Sequence, residues 1–173
     1  MQKNRYLRII INYNYMRTLL TIFTAMLLWV GSADAQNIRL GEKIPDIHVI
    51  SDMGEKLELL DTECVCLLFV YAESQPSVNA VTAFRSTAEA LCDDISFVLL
   101  FGREPSPLSL ERFQLTENTI IAIDNDKRTF HNFGIDYVPF VVIYEKHRNR
   151  ALWFGSTQQL DQEIIEQIIE TSK

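Results

Sequence analysis

Three cysteines carry the most reactive side chains in this sequence of 173 residues, and their spacing limits what they can do. Cys64 and Cys66 stand two apart in the run Cys64-Val65-Cys66-Leu67-Leu68-Phe69-Val70-Tyr71. On a strand both would project from one face. One reading is a Cys-x-Cys redox pair. A bridge between strand residues i and i+2 spans Cα atoms roughly 6.5–7 Å apart, the limit of disulfide geometry, and buried cysteines usually act as small apolar side chains. A third reading joins Cys92 to Cys64 or Cys66. A strand over 64–71 covers roughly 25 Å and a helix over 76–92 returns roughly 25 Å, which brings the helix end back to the level of the strand start. In an oxidising compartment such a pair forms a structural disulfide and leaves one thiol over.

Other reactive residues form no constellation. His48, His131 and His147 lack metal-ligand spacing, and no Cys/His cluster gives a zinc pattern, so neither metal nor cofactor is expected. Asp124-Asn125-Asp126 lacks the glycine and distal glutamate of a calcium loop and reads as a helix cap or turn. The sequence holds no Ser-His-Asp signature, phosphate loop or nucleotide fingerprint.

The elements that would position these residues alternate. Residues 45–50 and 56–60 read as short strands around the turn 52–55. The apolar run 64–71 suits a strand buried on both faces of a parallel sheet. Pro76 opens a long helix to about Leu91, with Val78, Val81, Ala83, Phe84 and Ala88 among its apolar or small positions; a proline in a first turn lacks only an N–H that would go unpaired there. Strands follow at 95–101 and 119–123, with short helices near 108–113 and 127–133. Residues 139–144 and 151–154 form a strand pair across the polar turn 146–149. Ser156 and Gln159 make a capping box for a closing helix, whose apolar stripe runs through Leu160, Ile164, Ile165, Ile168 and Ile169. Strands alternating with helices predict an α/β three-layer sandwich.

This order resembles the TlpA-like, or redoxin, branch of the thioredoxin superfamily, over nearly all of residues 40–170. The most specific stretch is Phe133-Gly134-Ile135-Asp136-Tyr137-Val138-Pro139, followed by a strand, a turn and Gly155. The resemblance implies an α/β/α sandwich with a central mixed sheet and an N-terminal β-hairpin. It also implies a cis Val138–Pro139 bond and a peptide groove built from Tyr71, Ser74, Gln75, Pro76, Val138 and Pro139. In that family a buried strand ends in an aromatic-Ala pair and a Cys-x-x-Cys motif. Here the same place reads Tyr71-Ala72-Glu73-Ser74-Gln75-Pro76-Ser77-Val78. Tyr71-Ala72 and Pro76 match, whereas Gln75 and Val78 stand where the thiols belong. The exchange reaction needs a thiolate of lowered pKa and a second thiol to resolve the mixed disulfide. An amide and an isopropyl group supply neither.

Ahead of this region lies a segment of another kind. From Met16 a basic residue, an apolar run of roughly a dozen residues and Ala33-Asp34-Ala35 read as a secretory signal peptide with cleavage after Ala35. Residues 1–15 read as an extension from an upstream start codon. The apolar run is short for a membrane span, though an uncleaved segment anchoring the domain to the inner membrane is the rival reading. Residues 1–35 hold four Lys/Arg and one Asp, which leaves 12 basic and 22 acidic residues and a formal charge of −10 over 36–173. Such a surface repels a phosphate backbone, so nucleic acid is excluded as a partner. The expectation is a periplasmic thioredoxin-like domain over 36–173, a non-catalytic peptide-binding, protein-binding or chaperone-like module. The alternatives are a divergent thiol-disulfide oxidoreductase using Cys64 and Cys66, and an accessory subunit of an envelope complex.

Overall fold

In the computed structural model, residues 37–49, 57, 60–115 and 119–172 are described; the expected signal peptide over 1–35 and the turn at 52–55 lie outside them. The apolar runs become a five-stranded sheet of order β3-β2-β1-β4-β5. Strands β1 (Cys64–Val70), β2 (Ile95–Phe101) and β3 (Thr119–Ile123) are parallel. β4 (Phe140–Glu145) runs antiparallel to β1, and β5 (Arg150–Ser156) antiparallel to β4. Period-two alternation divides β1 between two cores. Cys64, Cys66, Leu68 and Val70 face one, and Val65, Leu67 and Phe69 the other.

Helices α1 (Gln75–Ala90) and α4 (Gln162–Ser172) cover the first face. Ser74 caps α1, its Oγ accepting from the Ser77 N–H at 3.3 Å, and Pro76 fits the first turn. Val78, Val81, Phe84 and Ala88 then recur at helical spacing and are buried, with Ile165 and Ile169 of α4 beside them. Burying each large apolar side chain stabilises the fold by about 1.5–3 kcal/mol. The short helix α2 (Pro107–Glu111) precedes Phe113, which packs edge-on against Phe101.

Helix α3 (Arg128–Phe133) covers the second face with Phe130 and Phe133. Gly134 ends it with φ +64°, a left-handed conformation suited to glycine. Residues 41–44 lie along the open edge of β5: Gly41 N–H donates to Ala151 O and Ala151 N–H to Glu42 O, at 2.8 and 2.9 Å.

Two expectations need correction. The predicted N-terminal hairpin is not formed over its described residues: 45–49 hold no strand and Leu57 is helical, while the rest of 56–60, apart from Leu60, lies outside the described residues. The backbone of 46–48 bonds instead to α3. His48 N–H donates to Thr129 Oγ1, Thr129 Oγ1 to His48 O, and Asn132 Nδ2 to Asp46 O. The closing helix starts at Gln162, not Ser156. Asp161 Oδ1 accepts the Ile164 N–H at 2.9 Å, and Ser156 caps only the 3₁₀ turn Thr157–Gln159.

The aspartates after β3 do cap a helix. Asp124 Oδ2 accepts the Phe130 N–H at 3.0 Å and Asp126 Oδ1 the Arg128 N–H at 3.4 Å. Asp124 is 1% exposed and its Oδ1 has no hydrogen-bond partner. Burial pushes its carboxyl above the ordinary range, and the neighbouring Asp126 carboxylate adds to this against the pull of the Phe130 N–H. The folded state therefore holds this proton more tightly than the unfolded chain, whose aspartates titrate near about 3.9. The resulting stabilisation is complete below that value and is lost as pH rises through the folded-state value. Urea unfolding from acid to neutral pH is expected to show Asp124→Asn gaining stability relative to the parent as pH rises, because an amide keeps the cap without the charge.

Candidate functional site

The sheet register builds the site. Phe69 of β1 pairs with Phe140 of β4, so the loop leaving β1 and the segment entering β4 emerge at the same end of the sheet. Tyr71 to Ser74 form the first, and Tyr137, Val138 and Pro139 the second. The Val138–Pro139 bond is cis.

At the positions expected to carry thiols, the structure holds two side chains in different settings. Gln75 is exposed at the first turn of α1 and its amide is held at both ends. Arg112 Nη2 donates to its Oε1 and its Nε2 donates to Asn79 Oδ1, both at 2.9 Å. Val78 is buried in the core under α1. Ser77, between them, is fully buried and its Oγ accepts the Tyr71 N–H at 3.3 Å. Ser74 is engaged as the helix cap. The loop thus presents hydrogen-bonding and apolar surface rather than a nucleophile.

An open groove of about 800 Å³ runs between α1, the Tyr137–Pro139 segment and residues 156–162. Of the six residues predicted to line one groove, Pro76, Val138 and Pro139 do so, joined by Tyr137, Asn79 and Gln158. Tyr137 is 51% exposed, its ring edge-on to Phe140 at 5.4 Å. Ser74 and Gln75 are not among the lining residues. Tyr71 lies apart, lining a cavity of about 270 Å³ with Glu73, Arg103 and Lys127. Its ring stacks on Phe130 at 5.5 Å, with Lys127 Nζ 5.5 Å from its centroid. Gly102 permits that placement, since a Cβ there would come within 2.9 Å of Tyr71 Cε1.

A thioredoxin-like protein from Aeropyrum pernix superposes with a TM-score of 0.54 at 18% identity, over 66% of this chain and 81% of that protein. A thiol:disulfide interchange protein from a Bacteroides species gives 0.58 at 12% identity, over 78% and 92%. A DsbE-type thiol:disulfide interchange protein from Chlorobium tepidum gives 0.58 at 16%, over 78% and 98%. The fold is thioredoxin-like. No protein-family model matches the sequence, and no curated protein matches it.

Within this thioredoxin-like fold the cysteines lie away from the groove. Cys64 and Cys66 share the inner face of β1 toward α1 and α4, and Cys64 Sγ is 3.2 Å from Ser172 Oγ. Burial pushes the Cys66 thiol up to about 12. Cys92, half-buried beyond the end of α1, has its sulfur 4.0 Å from Asp93 Oδ1. No two of the three are bridged in the structure. Among the described residues no three His, Cys, Asp or Glu side chains converge to hold a metal ion, and no helix is long and apolar enough to cross a membrane.

Sequence reasoning missed Arg112, Asn79, Gln158 and Tyr137. Tyr137 adjoins the Val-Pro pair and was open to inference from that neighbour. Arg112 reaches Gln75 from beyond α2 and leaves no local signal.

Proposed function

We propose that residues 36–173 form the mature part of an exported protein that binds extended polypeptide segments beside Val138 and Pro139 without thiol–disulfide exchange. One observation carries this reading: the groove is open, and no sulfur belongs to the residues that line it. Its chemistry suits a peptide. Pro76, Val138 and Pro139 offer apolar surface, Tyr137 an exposed aromatic anchor, and Asn79 and Gln158 side-chain amides. The formal charge of −10 over 36–173 favours neutral or cationic segments. Export rests on the leader pattern over 1–35, and N-terminal sequencing of the exported protein is expected to begin at Gln36. The rival in which Cys64 and Cys66 exchange disulfides meets two obstacles, their burial and the raised Cys66 thiol.

The test uses reduced, carboxyamidomethylated ribonuclease A, a cationic unfolded chain without thiols. Nuclear magnetic resonance titration is expected to shift Asn79, Tyr137 and Gln158, and Tyr137→Ala to weaken binding about tenfold, the size of one lost aromatic anchor. Absence of shifts at these residues, or unchanged affinity in the variant, rejects the reading.

A further inference from the structure

At the opposite end of the sheet from the Tyr71 loop lies a second cavity, of about 350 Å³, between residues 43–49, Leu57 and the end of β4. Ile44 and Leu57 contribute apolar wall; Lys43, Lys146 and Tyr144 contribute hydrogen-bond donors, and Asp46 one carboxylate. Tyr144 is only 4% exposed, yet its hydroxyl makes no hydrogen bond with the described residues. A phenol buried to this extent usually finds a partner, since an unmatched polar group in a desolvated site is costly. Tyr144 is among the residues that line the cavity. Burial pushes the Tyr144 phenol up to about 12, so it remains a donor throughout the neutral range. Lys43 lines the same cavity and makes no ion pair or side-chain hydrogen bond with the described residues. The Lys146 ammonium is anchored by Leu60 O.

The donors outnumber the single acceptor acid, and their common complement is an oxyanion. The apolar wall and the modest volume, at the small end for ligand sites, call for a short hydrocarbon body behind that oxyanion. We propose that this cavity is a binding site for a small amphipathic carboxylate, a medium-chain or aromatic acid, with Tyr144 and Lys43 receiving the carboxylate and Ile44 and Leu57 the hydrocarbon. The site is separate from the peptide groove and does not depend on it.

Octanoate and 1-octanol are the probes, matched in length and differing in the head group. Titrated into the purified protein, octanoate is expected to bind with a Kd of about 0.1–1 mM and to shift the resonances of Lys43, Ile44 and Tyr144. Tyr144→Phe and Lys43→Gln are each expected to weaken it about tenfold, because a hydrogen bond to a charged group is lost, and octanol to bind at least as much more weakly. Both substitutions are conservative enough to retain the fold, which the unliganded spectra check. Absence of these shifts up to about 10 mM, equal binding of the alcohol, or octanoate affinity unchanged in both variants overturns the proposal.

Discussion

Gln75→Cys combined with Val78→Cys is expected to give this chain the reduction of accessible disulfides with dithiothreitol as electron donor, well above the rate of the parent. Position 75 is exposed in the first turn of a 16-residue helix, where the helix dipole favours a thiolate. Arg112 Nη2, now 2.9 Å from Gln75 Oε1, would face the new sulfur. Together they should bring that thiol to about 7 or below, from about 8.5 in a free cysteine. Position 78 lies three residues on, within reach across one helical turn, and is buried. The thiolate at 75 attacks a substrate disulfide and releases one substrate thiolate; the thiol at 78, deprotonated, displaces the other and leaves a 75–78 disulfide, which dithiothreitol reduces.

The single variants separate these roles. Gln75→Cys alone should form mixed disulfides without turnover, and Val78→Cys alone should stay inert. Adding Arg112→Gln to the double variant should raise the reactive thiol pKa, read from the pH dependence of alkylation. The parent should turn over far more slowly, since Cys64 and Cys66 are buried and burial pushes the Cys66 thiol up to about 12. A folded double variant that reduces insulin no faster than the parent would refute the claim that only the sulfurs are missing.

What could be read in the sequence was what local chemistry determines. β2 and β3 have the expected limits, because a run of β-branched and aromatic residues between turn signals leaves little choice. Pro76 announced α1 within a residue, and the Asp124–Asp126 pair, read as a helix cap or turn, accepts N–H groups of the first turn of α3. Two of the three failures share one cause, a partner far along the chain. Ile47 and Val49 alternate like a strand, but Thr129 and Asn132 take the backbone groups of 46–48 that a hairpin would need. Ser156 and Gln159 match a capping box, yet Asp161 offers a better acceptor once Leu160 is buried. Tyr71 was placed in the groove by the family resemblance; Phe130 stacks its ring elsewhere.

Phe69 joins the core to that displaced ring, and Phe69→Ala is expected to destabilise the protein by about 3–5 kcal/mol. The side chain is fully buried on β1, edge-on to Phe130 at 5.1 Å and tilted against Phe133 at 5.4 Å. Truncation loses the transfer free energy of the ring, two aromatic contacts of about 0.5–1.5 kcal/mol each, and the packing around the cavity left behind. Because β1 is central and α3 is short, neither can move far to fill that space. A loss of this size is a large share of a total of about 5–15 kcal/mol, and urea unfolding would show it as a lower midpoint at unchanged slope. Tyr71→Ala removes a ring 39% exposed and stacked on the same Phe130, so it should cost much less. The double-mutant cycle between Phe69 and Tyr71 should show coupling of about 0.5 kcal/mol or more, carried by the shared Phe130. Strict additivity, or a cost for Phe69→Ala below about 1.5 kcal/mol, would mean that α3 repacks against β1 without this ring, and that the Tyr71 loop is positioned independently of the core.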